Sequence, residues 1–204
     1  GRIADRTGVS KWITGEPARA EVQQLRRRAD AMLIGAGAVC ADDPSLLCRI
    51  GGGEKLVRVV VDATGRIPPR ARMLTDEAAA RTIVATTPEA AAIRAAAWAR
   101  HGAQVWTFAP GRDGRVPLKR LLKMLGDAGY LHVVCEGGGT LAGALGDADL
   151  VDEYCLFYAP AVLGDVRAVS GVAGYGTLLN KMRRMRLVEV RQVGEDVMMR
   201  VKKA

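Results

Sequence analysis

The sequence predicts an α/β protein: a mainly parallel central sheet with helices on both faces and a C-terminal antiparallel hairpin. Three observations predict it. Short apolar runs alternate with stretches of helical periodicity along most of the 204 residues, the pattern of strand–helix–strand units. The runs are continuously apolar rather than alternating, as in strands buried on both faces. Near the C-terminus two further strand-like segments flank a turn at Gly194, which reads as a hairpin.

Taken in order, residues 15–30 place Ala18, Val22, Leu25 and Ala29 on one helical face. Pro17 falls in the first turn, where its missing N–H costs little. Ala31-Met32-Leu33-Ile34 is a first buried strand, ended by Gly35-Ala36-Gly37. Residues 56–61 form a second strand ended by Asp62, and residues 82–85 a third. Pro88 starts an alanine-rich helix that closes near His101-Gly102, and residues 103–108 are a fourth strand. Pro117 opens a helix with Leu118, Leu121, Leu122 and Leu125 on one face, before a fifth strand over 131–135. A helix over about 140–148 and a strand over 153–158 follow. Residues 186–192 and 196–201 make the hairpin, expected as an antiparallel edge of the sheet. No internal repeat or long linker interrupts this order, so residues 1–204 are expected to form a single domain. Gly51-Gly52-Gly53 reads as a flexible surface turn.

Apolar residues make up 49% and aromatics only 4%, so aliphatic side chains must build the core. No apolar run is long enough to span a bilayer and no leader pattern opens the chain, so a soluble, cytoplasmic protein is expected. Cys40, Cys48, Cys135 and Cys155 form no C-x-x-C pair. Cys135 and Cys155 lie in apolar runs, where a thiol acts as a small hydrophobe. Two histidines, His101 and His132, are too few for a histidine metal site, and no metal is expected. The net charge of +8 is spread out and lacks interleaved aromatics for base stacking. A phosphorylated small molecule therefore fits better than nucleic acid or a membrane.

In open parallel sheets, ligands bind beyond the carboxyl ends of the strands. Two segments here fit that position, and a third lies in a polar loop just before the first helix. The fifth strand runs into Glu136-Gly137-Gly138-Gly139-Thr140, where glycines permit close backbone approach and a helix start offers N–H groups to a phosphate. A triple glycine is as often a loose turn. The first strand leads to Asp42-Asp43-Pro44. Asp43 before proline has a plain reading as a turn start, whereas Asp42 is placed to bond a ligand or carry a proton. Arg49, just beyond, can clamp a phosphate. In Ser10-Lys11-Trp12-Ile13-Thr14, Trp12 either packs on the core or walls a cofactor ring.

Together these segments resemble the reductase domain of the bacterial riboflavin-biosynthesis deaminase/reductase, the RibD family. The resemblance rests on Gly1-Arg2-Ile3-Ala4, Ser10-Lys11-Trp12-Ile13-Thr14, Ala41-Asp42-Asp43-Pro44-Ser45-Leu46, Glu136-Gly137-Gly138 with Thr140-Leu141-Ala142, and Leu150-Val151-Asp152-Glu153 followed by Pro160. Each segment is weak alone, while their order and spacing across essentially the whole chain are specific. The resemblance implies a dihydrofolate-reductase-like fold and NADPH as cofactor. It implies 5-amino-6-(5-phosphoribosylamino)uracil as substrate, whose opened ribose is reduced at C1′. Ser10, Arg26, Leu46, Arg49 and Glu136 would contact substrate, with Arg49 on its phosphate. Trp12, Ala38, Asp42 and the run Gly138, Gly139, Thr140, Leu141, Ala142, Gly143 and Ala144 would contact NADPH, with Asp42 also catalytic. Ala63 and Thr64 would lie near the adenosine 2′-phosphate, and Arg66 is a candidate partner for that charge. A homodimer is implied, with a deaminase domain on the same or another chain.

Three departures stand out. The family carries an apolar strand before the segment that here starts at Gly1, so a first strand is expected to be missing. The zinc signature of the deaminase half is absent. Gly139 stands where the family often has proline. The competing readings are a related reductase on another pteridine- or pyrimidine-like substrate, and a non-catalytic NADPH-binding domain.

Overall fold

The computed structural model of the chain describes residues 1–174 and 176–204. Its elements are β1 (Arg2–Ala4), α1 (Glu16–Arg28), β2 (Ala31–Gly35), α2 (Ala36–Asp42), β3 (Val57–Val61), α3 (Arg72–Thr75), β4 (Thr82–Thr86) and α4 (Pro88–Trp98). There follow β5 (Gln104–Thr107), α5 (Leu118–Asp127), β6 (Val133–Cys135), α6 (Gly139–Asp147), β7 (Glu153–Tyr158), β8 (Val169–Ser170), β9 (Met185–Val193) and β10 (Asp196–Lys203). The chain divides into two compact units, Gln23–Gly138 and Gly1–Val22 with Gly139–Ala204.

The Gln23–Gly138 unit holds a five-stranded parallel sheet in the order β5-β4-β3-β2-β6. Every residue of β4, and all but the last of β2 and β3, is buried. Such strands can hide both faces only under cover on both sides, which is why they read as unbroken apolar runs. The core joins Met32, Ile34, Val60 and Val84 of the sheet to Ile67, Met73, Leu74 and Trp98. Each side chain of this size stabilises the fold by about 1.5–3 kcal/mol relative to exposure. Trp98 also satisfies its indole N–H, which donates to the Ile67 carbonyl at 3.1 Å. Thr87 starts α4 by accepting the Ala90 N–H, and Pro88 takes the first helical position.

Helix α2 is not expected from the sequence. Its seven residues, AGAVCAD, start directly from the end of β2 with no intervening loop. Gly53 is more than a flexible turn residue, because a Cβ there would run into the Cys48 side chain.

In the other unit, β7, β10 and β9 form an antiparallel sheet with β10 in the middle. The terminal hairpin forms as expected, but it does not edge the parallel sheet. Both sides of β10 are taken, by β9 across Gly194 and by β7 over Val197–Tyr158 to Lys202–Glu153. One face buries Ala18, Val193 and Met198 with Cys155 and Phe157. Further along it, Arg200 bridges Glu153 (2.6 Å) and Glu189 (3.1 Å), and Arg191 bridges Glu189 and Glu21 (both 2.9 Å). The start of α1 is fixed by Asp196, whose buried carboxylate accepts the Gly15 N–H at 2.7 Å. Short β1 pairs with β8. Helix α6 is lined by Gly139 and Gly143. A Cβ on either would strike the backbone of Ser170 or Ala173, so the chain beyond β8 lies directly on the helix.

Among the described residues no helix is long and apolar enough to cross a membrane, and no group of three His, Cys, Asp or Glu side chains is placed to hold a metal ion.

Candidate active site

Adjacent strands β2 and β6 end together. The Glu136 N–H donates to Leu33 O at 3.0 Å, and the Gly35 N–H donates to Gly137 O at 2.8 Å. The backbone ladder therefore sets the start of α2 beside Glu136-Gly137-Gly138, at the sheet end where ligands bind. Gly138 faces the Ala38 methyl: a Cβ on Gly138 would lie 3.7 Å from it. Cβ atoms added at Gly37 or Gly137 would meet nothing within 4 Å, so the backbone there stands open.

Arg26 comes from the last turn of α1 and closes on Glu136 with two parallel bonds. Its Nε donates to Oε1 at 2.7 Å and an Nη to Oε2 at 2.6 Å. The other Nη donates to Leu47 O at 2.9 Å. Side-chain exposures of 13% and 20% make this a largely desolvated, bidentate pair, the strongest geometry available to an arginine and a carboxylate.

The segment from Asp43 to Arg49 is pinned at alternate residues. Asp43, left-handed at φ 41°, ends α2, and its carboxylate accepts the Arg72 N–H at 2.7 Å. Ser45 O accepts from Arg58 at 2.9 Å. Leu47 O accepts from Arg26. The Arg49 N–H donates to Gln23 Oε1 at 2.7 Å. Between these anchors Leu46 is buried and also left-handed, at φ 53°. The plain reading of Asp43 as a turn residue thus holds, and Asp42 is the half-buried last residue of α2. The Arg49 side chain is exposed and makes no ion pair among the described residues.

After β3, buried Asp62 accepts the N–H groups of Thr64 (3.3 Å) and Ile67 (2.8 Å), which shapes the turn carrying Ala63 and Thr64. Ala63 O accepts from the Thr87 hydroxyl at 2.9 Å. Arg66 is exposed at that turn.

The other unit carries the remaining expected residues. Ser10 is half-buried in the segment before α1. Trp12 does not pack on a core: it is 71% exposed, with the Arg19 guanidinium 4.5 Å over its ring. Thr140, Ala142 and Ala144 are at least partly exposed on α6, whereas Gly139, Leu141 and Gly143 are buried. The side-chain faces of Gly139 and Gly143 are covered by residues 170–174 of this chain, so both serve packing.

Burial above all, with a smaller push from the neighbouring Glu136 carboxylate, holds the Cys135 thiol up at about 11 against a lowering hydrogen bond with the Gly137 backbone. At neutral pH it is an un-ionised, half-buried thiol beside the site. Sequence reasoning missed Arg58 and its partner Asp76. The available signal was a lone arginine inside Val57-Arg58-Val59-Val60-Val61, which in a buried strand requires a buried acceptor.

A five-stranded parallel sheet with an antiparallel sheet at the C-terminal end is the architecture of the RibD reductases, a dihydrofolate-reductase-like fold. The chain belongs to the RibD C-terminal domain family, which it matches over residues 1–199. It is similar to RibD of Acinetobacter baumannii at a TM-score of 0.84 and 29% identity, covering 100% of this chain and 55% of that one. The riboflavin biosynthesis protein RibD of Bacillus amyloliquefaciens is 33% identical over 97% of this chain and 53% of the relative. The 2,5-diamino-6-ribosylamino-4(3H)-pyrimidinone 5′-phosphate reductase of Methanothermobacter thermautotrophicus is 35% identical over 97% of this chain and 90% of the relative. The chain spans about half the length of the RibD relatives it matches.

Proposed function

We propose that this chain is a pyrimidine reductase of riboflavin biosynthesis, using NADPH to reduce the ribosyl C1′ of 5-amino-6-(5-phosphoribosylamino)uracil to the ribitylamino product. The observation that carries this reading is the Arg26–Glu136 fork at the carboxyl end of β6. It stands beside the pinned loop that bears Arg49, in a chain whose family match runs over both compact units. That match supports treating residues 1–204 as one reductase domain.

The roles follow from what each group can bond. Each Glu136 oxygen keeps a lone pair beyond the Arg26 fork and accepts from the pyrimidine N–H groups. Arg26 orients that carboxylate. Arg49 takes the substrate phosphate, and Leu46 and Ser10 complete the substrate contacts.

The residues present fit NADPH. Gly37, the small side chain of Ala38 and the open backbone at Gly137 leave room for a ligand to approach the strand ends. Ala38, Asp42, Ala63, Thr64 and Gly138 would hold NADPH, with Trp12 and the exposed groups of residues 139–144. Arg66 would pair with its 2′-phosphate. NADPH, when bound, supplies the hydride. Asp42 carries the proton that reduction of the opened, imine form of the sugar requires.

The archaeal relative favours a second substrate, the pyrimidinone that retains its 2-amino group, since this chain spans 90% of that enzyme. NADPH oxidation assayed with each pyrimidine, with product mass determined, tests both. Turnover of the uracil compound is expected, preference for the 2-amino compound would move the assignment to the second reading, and turnover of neither overturns the function. The homodimer and a deaminase domain on this or another chain belong to the same proposal.

A further inference from the structure

Arg58 is fully buried in the middle of the parallel sheet, between Met32 of β2 and Thr82 of β4. Asp76 holds it through two bonds, Nη1 to Oδ2 at 2.6 Å and Nη2 to Oδ1 at 2.9 Å. The other hydrogens of the two Nη groups reach two carbonyls, Ser45 and Met73, each at 2.9 Å. Its Nε is buried with no acceptor among the described residues.

Met73 O has a second donor, the Thr82 hydroxyl at 2.7 Å. For Ser45 O, Arg58 is the donor. That carbonyl belongs to the peptide joining Ser45 to Leu46, so holding it also holds φ of Leu46. A leucine at φ 53° is in a region that side chains with a Cβ rarely occupy. It persists only where its surroundings over-determine it. We propose that Arg58, held by Asp76, is a positioning residue for the substrate loop: by fixing the Ser45–Leu46 peptide it places Leu46 and Arg49. The inference rests on the reading of that loop as a substrate contact.

The test pairs Arg58→Met with Asp76→Asn. Removing both charges leaves no unpaired ion in the core, which folds far better than removing one. The asparagine also keeps an acceptor for the Ala78 N–H that Asp76 now serves at 3.1 Å. In the folded double variant, KM for 5-amino-6-(5-phosphoribosylamino)uracil rises about tenfold, as for one lost bond from a charged donor. The NADPH dissociation constant stays within about twofold, because the released bond holds the substrate loop rather than a cofactor contact. A folded double variant with wild-type KM, or with NADPH affinity falling in step, overturns the proposal.

If the double variant does not fold, Arg58→Lys decides by the same two constants. A lysine has one nitrogen to share among Asp76, Ser45 and Met73, so the same direction of change is expected at smaller size. Amide exchange separates this proposal from the reading of function. Faster exchange across residues 45–50 in Arg58→Lys supports the clamp even if the wild type reduces neither pyrimidine. Unchanged exchange there overturns it.

Discussion

Arg26 and Glu136, 110 residues apart in sequence, meet through two bonds of 2.7 and 2.6 Å, and the same guanidinium holds the Leu47 carbonyl. One cation thus ties the end of α1 to the end of β6 and to the loop between them in sequence. Glu136 is thereby presented in a single orientation before any ligand arrives, which lowers the ordering cost of binding.

Glu136 and Asp42 are expected to differ in kinetic signature. Glu136→Gln removes a charged acceptor that works in ground and transition states alike, so KM rises by about one to two decades with kcat little changed. Asp42→Asn removes a proton carrier, so kcat falls more than KM changes. Steady-state kinetics of both variants check this, and wild-type turnover by Asp42→Asn would sink the proposed role of Asp42.

NADPH is expected to bind more tightly than NADH, through Arg66 at the turn shaped by Asp62. Arg66→Ala should reduce that preference by about 1 kcal/mol or more, the scale of a hydrogen bond to a charged group. Titration of both cofactors against both proteins measures it. Equal affinities in the wild type would remove Arg66 from the cofactor site.

Gly143→Ala reverses a familiar sign. In an exposed helix the change gains about 1 kcal/mol. Here the new methyl meets the Ala173 backbone, and overpacking against the main chain costs about 1–3 kcal/mol. A lowered Tm is expected from calorimetry, and a raised one would show that residues 170–174 do not lie on α6.

Cys135 gives a pH signature. Its thiol, near 9.0 ordinarily, is held at about 11 by burial. The folded form keeps the proton that the unfolded chain releases. This contribution is complete below about pH 9 and is lost as pH rises towards about 11. The alkaline fall in Tm should therefore be shallower in Cys135→Ala. Alkylation at pH 8 should label exposed Cys40 well before Cys135.

The strands of the parallel sheet were legible because burial on both faces leaves an unbroken apolar run, as in Met32-Leu33-Ile34 and Ile83-Val84-Ala85. Helix α2 was not, because seven small residues span barely two turns and show no apolar stripe. The pairing of β1 with β8 joins strands of three and two residues across more than 160 positions, too short for any periodicity. Glu136, Asp42 and Arg49 could be named as candidates from residue type and strand ends. That Arg26 is spent on Glu136 and Leu47, and that Gly139 and Gly143 serve packing, depends on contacts between distant segments that no local pattern encodes.

The anchoring of residues 43, 45, 47 and 49 fixes the length of the loop as well as its path. Asp43 and Leu46 are left-handed, so the anchors hold one particular succession of bends rather than a run of extended chain. Inserting a residue between Asp43 and Arg49 would draw one or more of the groups now bonded to Arg72, Arg58, Arg26 and Gln23 off its partner and shift Leu46 from its buried place. The exposed Gly51-Gly52 stretch carries no such anchor to the substrate loop, so length variation is tolerated there sooner than between Asp43 and Arg49.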